Sequence, residues 1–269
     1  MDARRAAVLR VLGVERLERR AGVAGAAGAA GAADAAGAAD AAGAAGAADA
    51  AGAAGAAGAA SAARTRTGAP VALAPPAQAA TATLDWEGLA SAVAACTRCA
   101  LHATRTQTVF GVGDRAAEWL VVGEAPGADE DLKGEPFVGR AGQLLNSMLR
   151  AIGLARERVY IANVLKCRPP GNRDPTPQET GCCLPYLHRQ IALLRPRIIL
   201  CVGRIAAQNL LGVDTPLARL RGRAHALAPL GTPVVVTYHP AYLLRAPGEK
   251  RKAWRDLEFA LEVAHGRRA

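Results

Sequence analysis

The sequence predicts an α/β fold of three layers, α/β/α, around a central, mainly parallel four-stranded sheet. Three observations predict it. Four short apolar runs, Trp119–Gly123, Val159–Leu165, Ile198–Val202 and Pro233–Thr237, read as strands buried on both faces. Helical patterns over Gly142–Ile152, Gln178–Leu194 and Ile205–Leu211 separate them, and a last helix is expected from Glu249 to Ala264. Such alternation implies a parallel sheet covered on both sides. The unusual loops all follow strands: GEAPG after the first, Asn163 and KCRPPGNRDP at the second, YHPAYLLR after the fourth. Open parallel sheets bind ligands beyond the carboxyl ends of their strands, so a site is expected at that edge.

In chain order, residues 1–20 form a short candidate helix on which Val8, Leu9, Leu12, Val14 and Leu17 make a rough apolar stripe. Residues 21–80 are low in complexity. The triplet AAG repeats to about residue 60, and a segment rich in Ala, Thr and Pro follows. Glycine at every third position costs a helix about 1 kcal/mol each time, and no side chain here can build a core, so a disordered tether is expected. The globular pattern begins at Leu84 and runs to about residue 265. The hydrophobic fraction of 51% is inflated by alanine; aromatic residues are only 4%.

The formal net charge is +10, which favours polyanionic partners, nucleic acid first among them. Arg10 and Glu15 interrupt any export signal in the N-terminal segment, and Asp34, Asp40 and Asp49 punctuate an Ala/Gly tract too weakly hydrophobic to span a bilayer. The chain therefore reads as cytoplasmic, with no membrane association. In that compartment clustered cysteines read first as metal ligands.

There are six cysteines. Cys96 and Cys99 form a C-x-x-C, Cys167 follows the second strand, and Cys182 and Cys183 lie beyond it. Cys201 falls inside an apolar strand and reads as a small buried hydrophobe. Four thiolates from separate segments suit either zinc or an iron–sulfur cluster, and spacing does not decide between them. His102 could replace one thiolate in a zinc site. On a helix Cys182 and Cys183 point about 100° apart, so only one need be a ligand; which one stays open at this point.

Three segments carry a family resemblance. GEAPGADEDLKGEPFVGRAGQLLNSML, VYIANVLKCRPPGNRDPTPQE and TYHPAYLLR resemble, in this order, the motifs of type-4 (iron–sulfur) uracil-DNA glycosylases, members of the uracil-DNA glycosylase superfamily. The resemblance spans about residues 84–265. It implies a monofunctional enzyme that hydrolyses the N-glycosidic bond of deoxyuridine in DNA, leaving an abasic site for base excision repair. It also implies a [4Fe-4S] cluster on Cys96, Cys99, Cys167 and Cys183. The family's fourth cysteine lies four residues after the glutamate matching Glu179, which selects Cys183 over Cys182. The resemblance gives no preference for single- or double-stranded DNA.

A base inside a duplex is out of reach, so the target nucleotide must be flipped into a pocket. Phe137, one of three phenylalanines and set in the Gly/Pro loop GEPFVG, is expected to be the platform for the uracil ring. Asn163 offers a donor and an acceptor that match O4 and N3–H of uracil and mismatch cytosine. Glu130 stands where the family is expected to crowd the 5-methyl of thymine. His239 is the expected donor to O2, with backbone amides of Gly123, Glu124 and Ala125 beside the base. Glu124 is the candidate for holding or polarising the water, since Ala125 has no group to do so. Tyr242, Leu243 and Leu244 are expected to enter the gap left by the flipped base, and Arg245, Lys250 and Arg251 to meet phosphates.

Two other readings compete. A sensor that captures DNA covalently would need a histidine in the loop after the second strand, and KCRPPGNRDP has none. A zinc hydrolase would be colourless where an iron–sulfur protein is brown. The N-terminal helix on its tether reads as a handle for a replication or repair partner, and nothing demands more than a monomer.

Overall fold

The computed structural model describes residues 81–267; the helix expected over 1–20 and the tether expected over 21–80 lie outside the described residues. The strands are β1 (Val112–Gly113), β2 (Trp119–Gly123), β3 (Tyr160–Asn163), β4 (Ile198–Val202), β5 (Ala224–Leu227) and β6 (Thr232–Thr237). They form one sheet in the order β1-β3-β2-β4-β6-β5. The four strands anticipated from apolar runs are its parallel centre, with Val121 of β2 opposite both Ile161 of β3 and Leu200 of β4. Short antiparallel β1 and β5 are added at the two edges.

The helices are α1 (Trp86–Ala94), α2 (Ala128–Lys133), α3 (Arg140–Ala151), α4 (Pro177–Leu194), α5 (Arg204–Leu211), α6 (Leu217–Leu220), α7 (Pro240–Arg245) and α8 (Lys250–Ala264). Because strand side chains alternate between faces, the sheet feeds two cores. Val121, Ile161, Leu200 and Val235 pack with Leu145, Met148 and Leu149 of α3 and Leu257 and Ala260 of α8. Leu120, Val122, Ile199, Cys201 and Val236 pack on the opposite face with Leu187 and Ile191 of α4 and Leu210 of α5. Each of the Val, Leu, Ile and Met side chains contributes about 1.5–3 kcal/mol when fully buried. Cys201 is the buried small hydrophobe its strand context predicts.

The local start of α4 matters to the site. Thr176 caps the helix through its side chain, and Glu179 answers by accepting the Thr176 backbone N–H at 2.8 Å. Arg173 grips the same carboxylate with two hydrogen bonds of 2.9 and 2.6 Å and, as the main cause, draws its pKa down to about 2. The loop after β3 is thereby fixed to the helix that carries Cys183. Chain order around β2 reverses at this point, from β3 on one side to β4 on the other, which creates a crevice at the carboxyl edge. Among the described residues no helix is long and apolar enough to cross a membrane.

Candidate active site

Gly123 and Asn163 are paired at the carboxyl ends of β2 and β3. Asn163 is only 2% exposed, and its Oδ1 is buried with no hydrogen-bond partner. An unpaired buried oxygen costs about 1–3 kcal/mol, so its retention calls for a reason. A Cβ on Gly123 would lie 2.4 Å from that oxygen and 2.6 Å from Cζ of Phe137, so only glycine fits where amide and ring converge. The Phe137 ring lies 5.6 Å from the His239 ring, tilted by 32°. Phe137 therefore neighbours both Asn163, across Gly123, and His239, from which 102 positions separate it.

Phe137 adopts a left-handed backbone with φ of 56°, which typically costs a non-glycine residue about 1–3 kcal/mol. Arg156 holds it there. Its guanidinium donates to the carbonyls of Pro136 (2.6 Å) and Phe137 (3.3 Å) and to Oδ1 of Asn146 on α3 (3.2 Å). The Phe137 carbonyl also fits against Gly142, where a Cβ would stand 1.8 Å from it.

His239 caps α7, and its Nδ1 accepts the backbone N–H of Ala241 at 3.1 Å. Burial is the main cause that pushes its pKa down to about 4; the Arg245 charge acts the same way and Glu130 opposes it. The ring is thus neutral near pH 7 and carries its proton on Nε2. Glu124 is half-buried. Burial first, then the charge of Asp174, raises its pKa to about 7, with Arg204 opposing. Asp174 and Arg204 pair at 2.9 Å beside it. The carboxylate of Glu130 accepts three backbone N–H groups, from Gly127 (3.1 Å), Val138 (2.9 Å) and Gly139 (3.2 Å), and so ties α2 to the Phe137 loop.

The cysteines come from three directions. Cys96 follows α1, Cys99 precedes a short 3-10 turn, Cys167 follows β3, and Cys183 faces inward from α4. Cys167 and Cys183 are buried with Leu101 and Leu165, and Cys99 and Ala125 pack against them. Burial is the main cause raising the Cys99, Cys167 and Cys183 thiols, the last to about 12, and neighbouring cysteines add to it: Cys167, Cys182 and Cys96 at Cys99, Cys96 at Cys167, and Cys167 and Cys99 at Cys183. These sulfurs therefore sense one another. Arg105 donates to the sulfur of Cys167 (3.1 Å) and to the carbonyl of Cys96 (2.8 Å), clamping two of the segments together. Cys182 instead turns its thiol to the carbonyl of Arg98 at 3.3 Å, and the exposed His102 ring contacts the carbonyl of Cys99. Among the described residues no group of three or more His, Cys, Asp or Glu has the arrangement of a metal-ion site.

The sequence matches the uracil DNA glycosylase superfamily over residues 110–258. It is 53% identical over 161 residues to the type-4 uracil-DNA glycosylase of Archaeoglobus fulgidus, covering 58% of this chain and 81% of that protein. The type-4 enzyme of Pyrobaculum aerophilum is 41% identical over 180 residues, 65% of this chain and 92% of the relative. This chain belongs to the type-4 uracil-DNA glycosylases. A type-5 uracil-DNA glycosylase of Thermus thermophilus is more distant, at 33% identity over 149 residues, 49% of this chain and 68% of that protein.

Within this glycosylase fold the expected DNA-facing residues separate. Tyr242 and Leu244 on α7 are 39% and 37% exposed, whereas Leu243 is 1% exposed and packs into the core beneath. Tyr242 stacks on Tyr238, whose ring in turn lies under the Arg221 guanidinium. Arg245 ends α7, and Lys250 and Arg251 begin α8. Sequence reasoning missed Arg156, Gly142 and Arg105. Arg156 lies in the charged run RERV, where nothing marks one arginine as turned inward.

Proposed function

We propose that this glycosylase holds a flipped deoxyuridine with the uracil ring against Phe137, its N3–H and O4 read by the Asn163 amide, and its O2 facing Nε2–H of His239. The observation that carries this reading is the buried Asn163 oxygen without a partner, set against the Phe137 ring and across from His239. An acceptor kept unpaired inside a protein suits the N3–H of a base that arrives with its own donor. Cytosine, which lacks that donor, would leave it unpaired.

The reaction breaks N1–C1′. The electron pair leaves with uracil, positive character gathers on the sugar, and a water oxygen forms the new bond at C1′. His239 is neutral and its Nδ1 is occupied, so Nε2–H is its available donor to the charge growing on O2. Preorganised donors of this kind are worth about 3–4 kcal/mol. Backbone amides of Gly123, Glu124 and Ala125 lie at the same strand end. Glu124 accepts the proton of the attacking water or polarises it. Glu130, whose carboxylate also fixes the loop that carries Phe137, crowds the 5-methyl of thymine. Tyr242 and Leu244 enter the gap in the stack, and Arg245, Lys250 and Arg251 meet phosphates.

Cys96, Cys99, Cys167 and Cys183 would hold a [4Fe-4S] cluster. The chemistry of the donor set fits it: four thiols are gathered from three segments, Cys167 and Cys183 are buried together with Cys99 packed against them, and a guanidinium donates to Cys167. Bound there, it would cross-link the segment before β1, the loop after β3 and α4. We read the enzyme as a monomer, with the N-terminal segment as a handle for a replication or repair protein.

The test is incubation with a uracil-containing oligonucleotide followed by alkali. Strand cleavage at uracil is expected. His239→Ala and Asn163→Ala each should slow single-turnover excision at least about tenfold while keeping the folded state. Near wild-type rates in both would remove the pocket assignment.

A further inference from the structure

Lys166 is one of the largest fully buried side chains of the described residues, at 1% exposure. Burying an ammonium is costly unless it is well satisfied. Here its Nζ donates to three oxygens: the carbonyl of Asn163 (2.9 Å), Oε1 of Gln190 (2.7 Å) and the carbonyl of Phe110 (3.2 Å). All three acceptors are uncharged. Three acceptors match the three N–H bonds of an ammonium.

Gln190, on α4, is also fully buried. Its Nε2 donates to the same Phe110 carbonyl (2.9 Å) and to the hydroxyl of Tyr160 (3.3 Å) at the start of β3. The backbone carbonyl of Lys166 accepts the N–H of Val109 at 2.8 Å. One buried polar network thus joins both ends of β3, the segment before β1 and the helix that carries Cys183. Satisfied networks of this kind specify a single arrangement of the core. The network reaches the pocket at the peptide of Asn163, whose side chain carries the unpaired oxygen.

We propose that Lys166 and Gln190 are positioning residues for Asn163, holding its peptide so that the amide meets uracil in the register that excision requires. The inference rests on the reading of Asn163 as the uracil-recognising residue. A shift of about 1 Å at such a group lowers a rate up to about a hundredfold. Lys166→Met keeps the volume and removes all three donors.

The test is a double-mutant cycle on the full chain with its visible absorbance intact. Lys166→Met, Asn163→Ala and the double variant are compared in single-turnover excision from a uracil oligonucleotide. Affinity is measured separately with an oligonucleotide carrying a tetrahydrofuran abasic analogue, which has no base to read. Lys166→Met should excise at least about tenfold more slowly. It should bind the analogue within about twofold of wild type, because the analogue makes no use of Asn163. The double variant should be no slower than Asn163→Ala alone, because the lysine acts through the asparagine. A Lys166→Met rate equal to wild type overturns the inference, as does a double variant slowed by the product of the two single effects. If Lys166→Met does not fold, Gln190→Met is put through the same cycle with the same two outcomes. A wild-type rate in Asn163→Ala would instead sink the pocket reading itself, which keeps the two failures apart.

Discussion

At the scale of single residues, the site turns on two protons. His239 holds none at Nδ1, because that nitrogen accepts from Ala241, and its depressed pKa of about 4 keeps the ring neutral through the working range. Glu124 behaves oppositely: burial lifts its carboxyl to about 7. If it receives or polarises the water's proton, it must be ionised. The excision rate should therefore climb as pH rises through about 7 and level off above it. His239 adds no inflection until pH falls near 4. A pH–rate profile of wild type against Glu124→Gln checks this: the variant should be slower and flat across the neutral range. The chemical types of these residues could be read from sequence, since a His-Pro pair and an acidic residue directly after buried strands stand out. Their ionisation could not, because it depends on burial and, for Glu124, on Asp174 from the loop after β3 and Arg204 at the start of α5.

At the scale of elements, the pocket depends on how β2, β3, α3 and α7 end or begin. The entry to α3 is the tightest join. Gly142 lies so close to the Phe137 carbonyl that one methyl group cannot be added without moving the loop. Gly142→Ala should destabilise the fold by about 1–3 kcal/mol, the usual range for overpacking, and slow excision as Phe137 shifts. Gly181 on α4 is the natural control. A Cβ there meets nothing within 4 Å, so Gly181→Ala should be neutral or stabilising by about 0.4–1 kcal/mol. Denaturant melts of both variants settle the contrast. The four central strands were legible in sequence because burial on both faces leaves unbroken apolar runs. β1 and β5 were not, because a two-residue VG and a half-exposed AHAL carry no such run. Gly142 gave no warning either: a glycine in a helical pattern reads only as a weak helix former, and the carbonyl it accommodates is five residues away.

At the scale of the whole molecule, the cysteines and the proposed uracil pocket share one framework. Leu165 donates its backbone N–H to the carbonyl of Glu124 at 3.0 Å, and Ala125 packs against the cysteine cluster, so the GEAPG loop touches both. The cysteine pattern was readable from spacing alone, but the choice between Cys182 and Cys183 rested on family likeness. In the structure Cys183 is buried beside Cys167, and Cys182 faces the Arg98 carbonyl. Cys183→Ala should lose the visible absorbance of an iron–sulfur protein, while Cys182→Ala and Cys201→Ala should keep it; spectra of the purified variants decide. Phe137, Asn163 and His239, drawn from two loops and the carboxyl end of β3, are proposed to serve one base. A crystal structure with uracil or uracil-containing DNA tests that proposal most directly. The ring should stack on Phe137, with N3–H and O4 within hydrogen-bond reach of the Asn163 amide and O2 at Nε2 of His239. Uracil bound in the same crystals away from the Asn163 amide would contradict it.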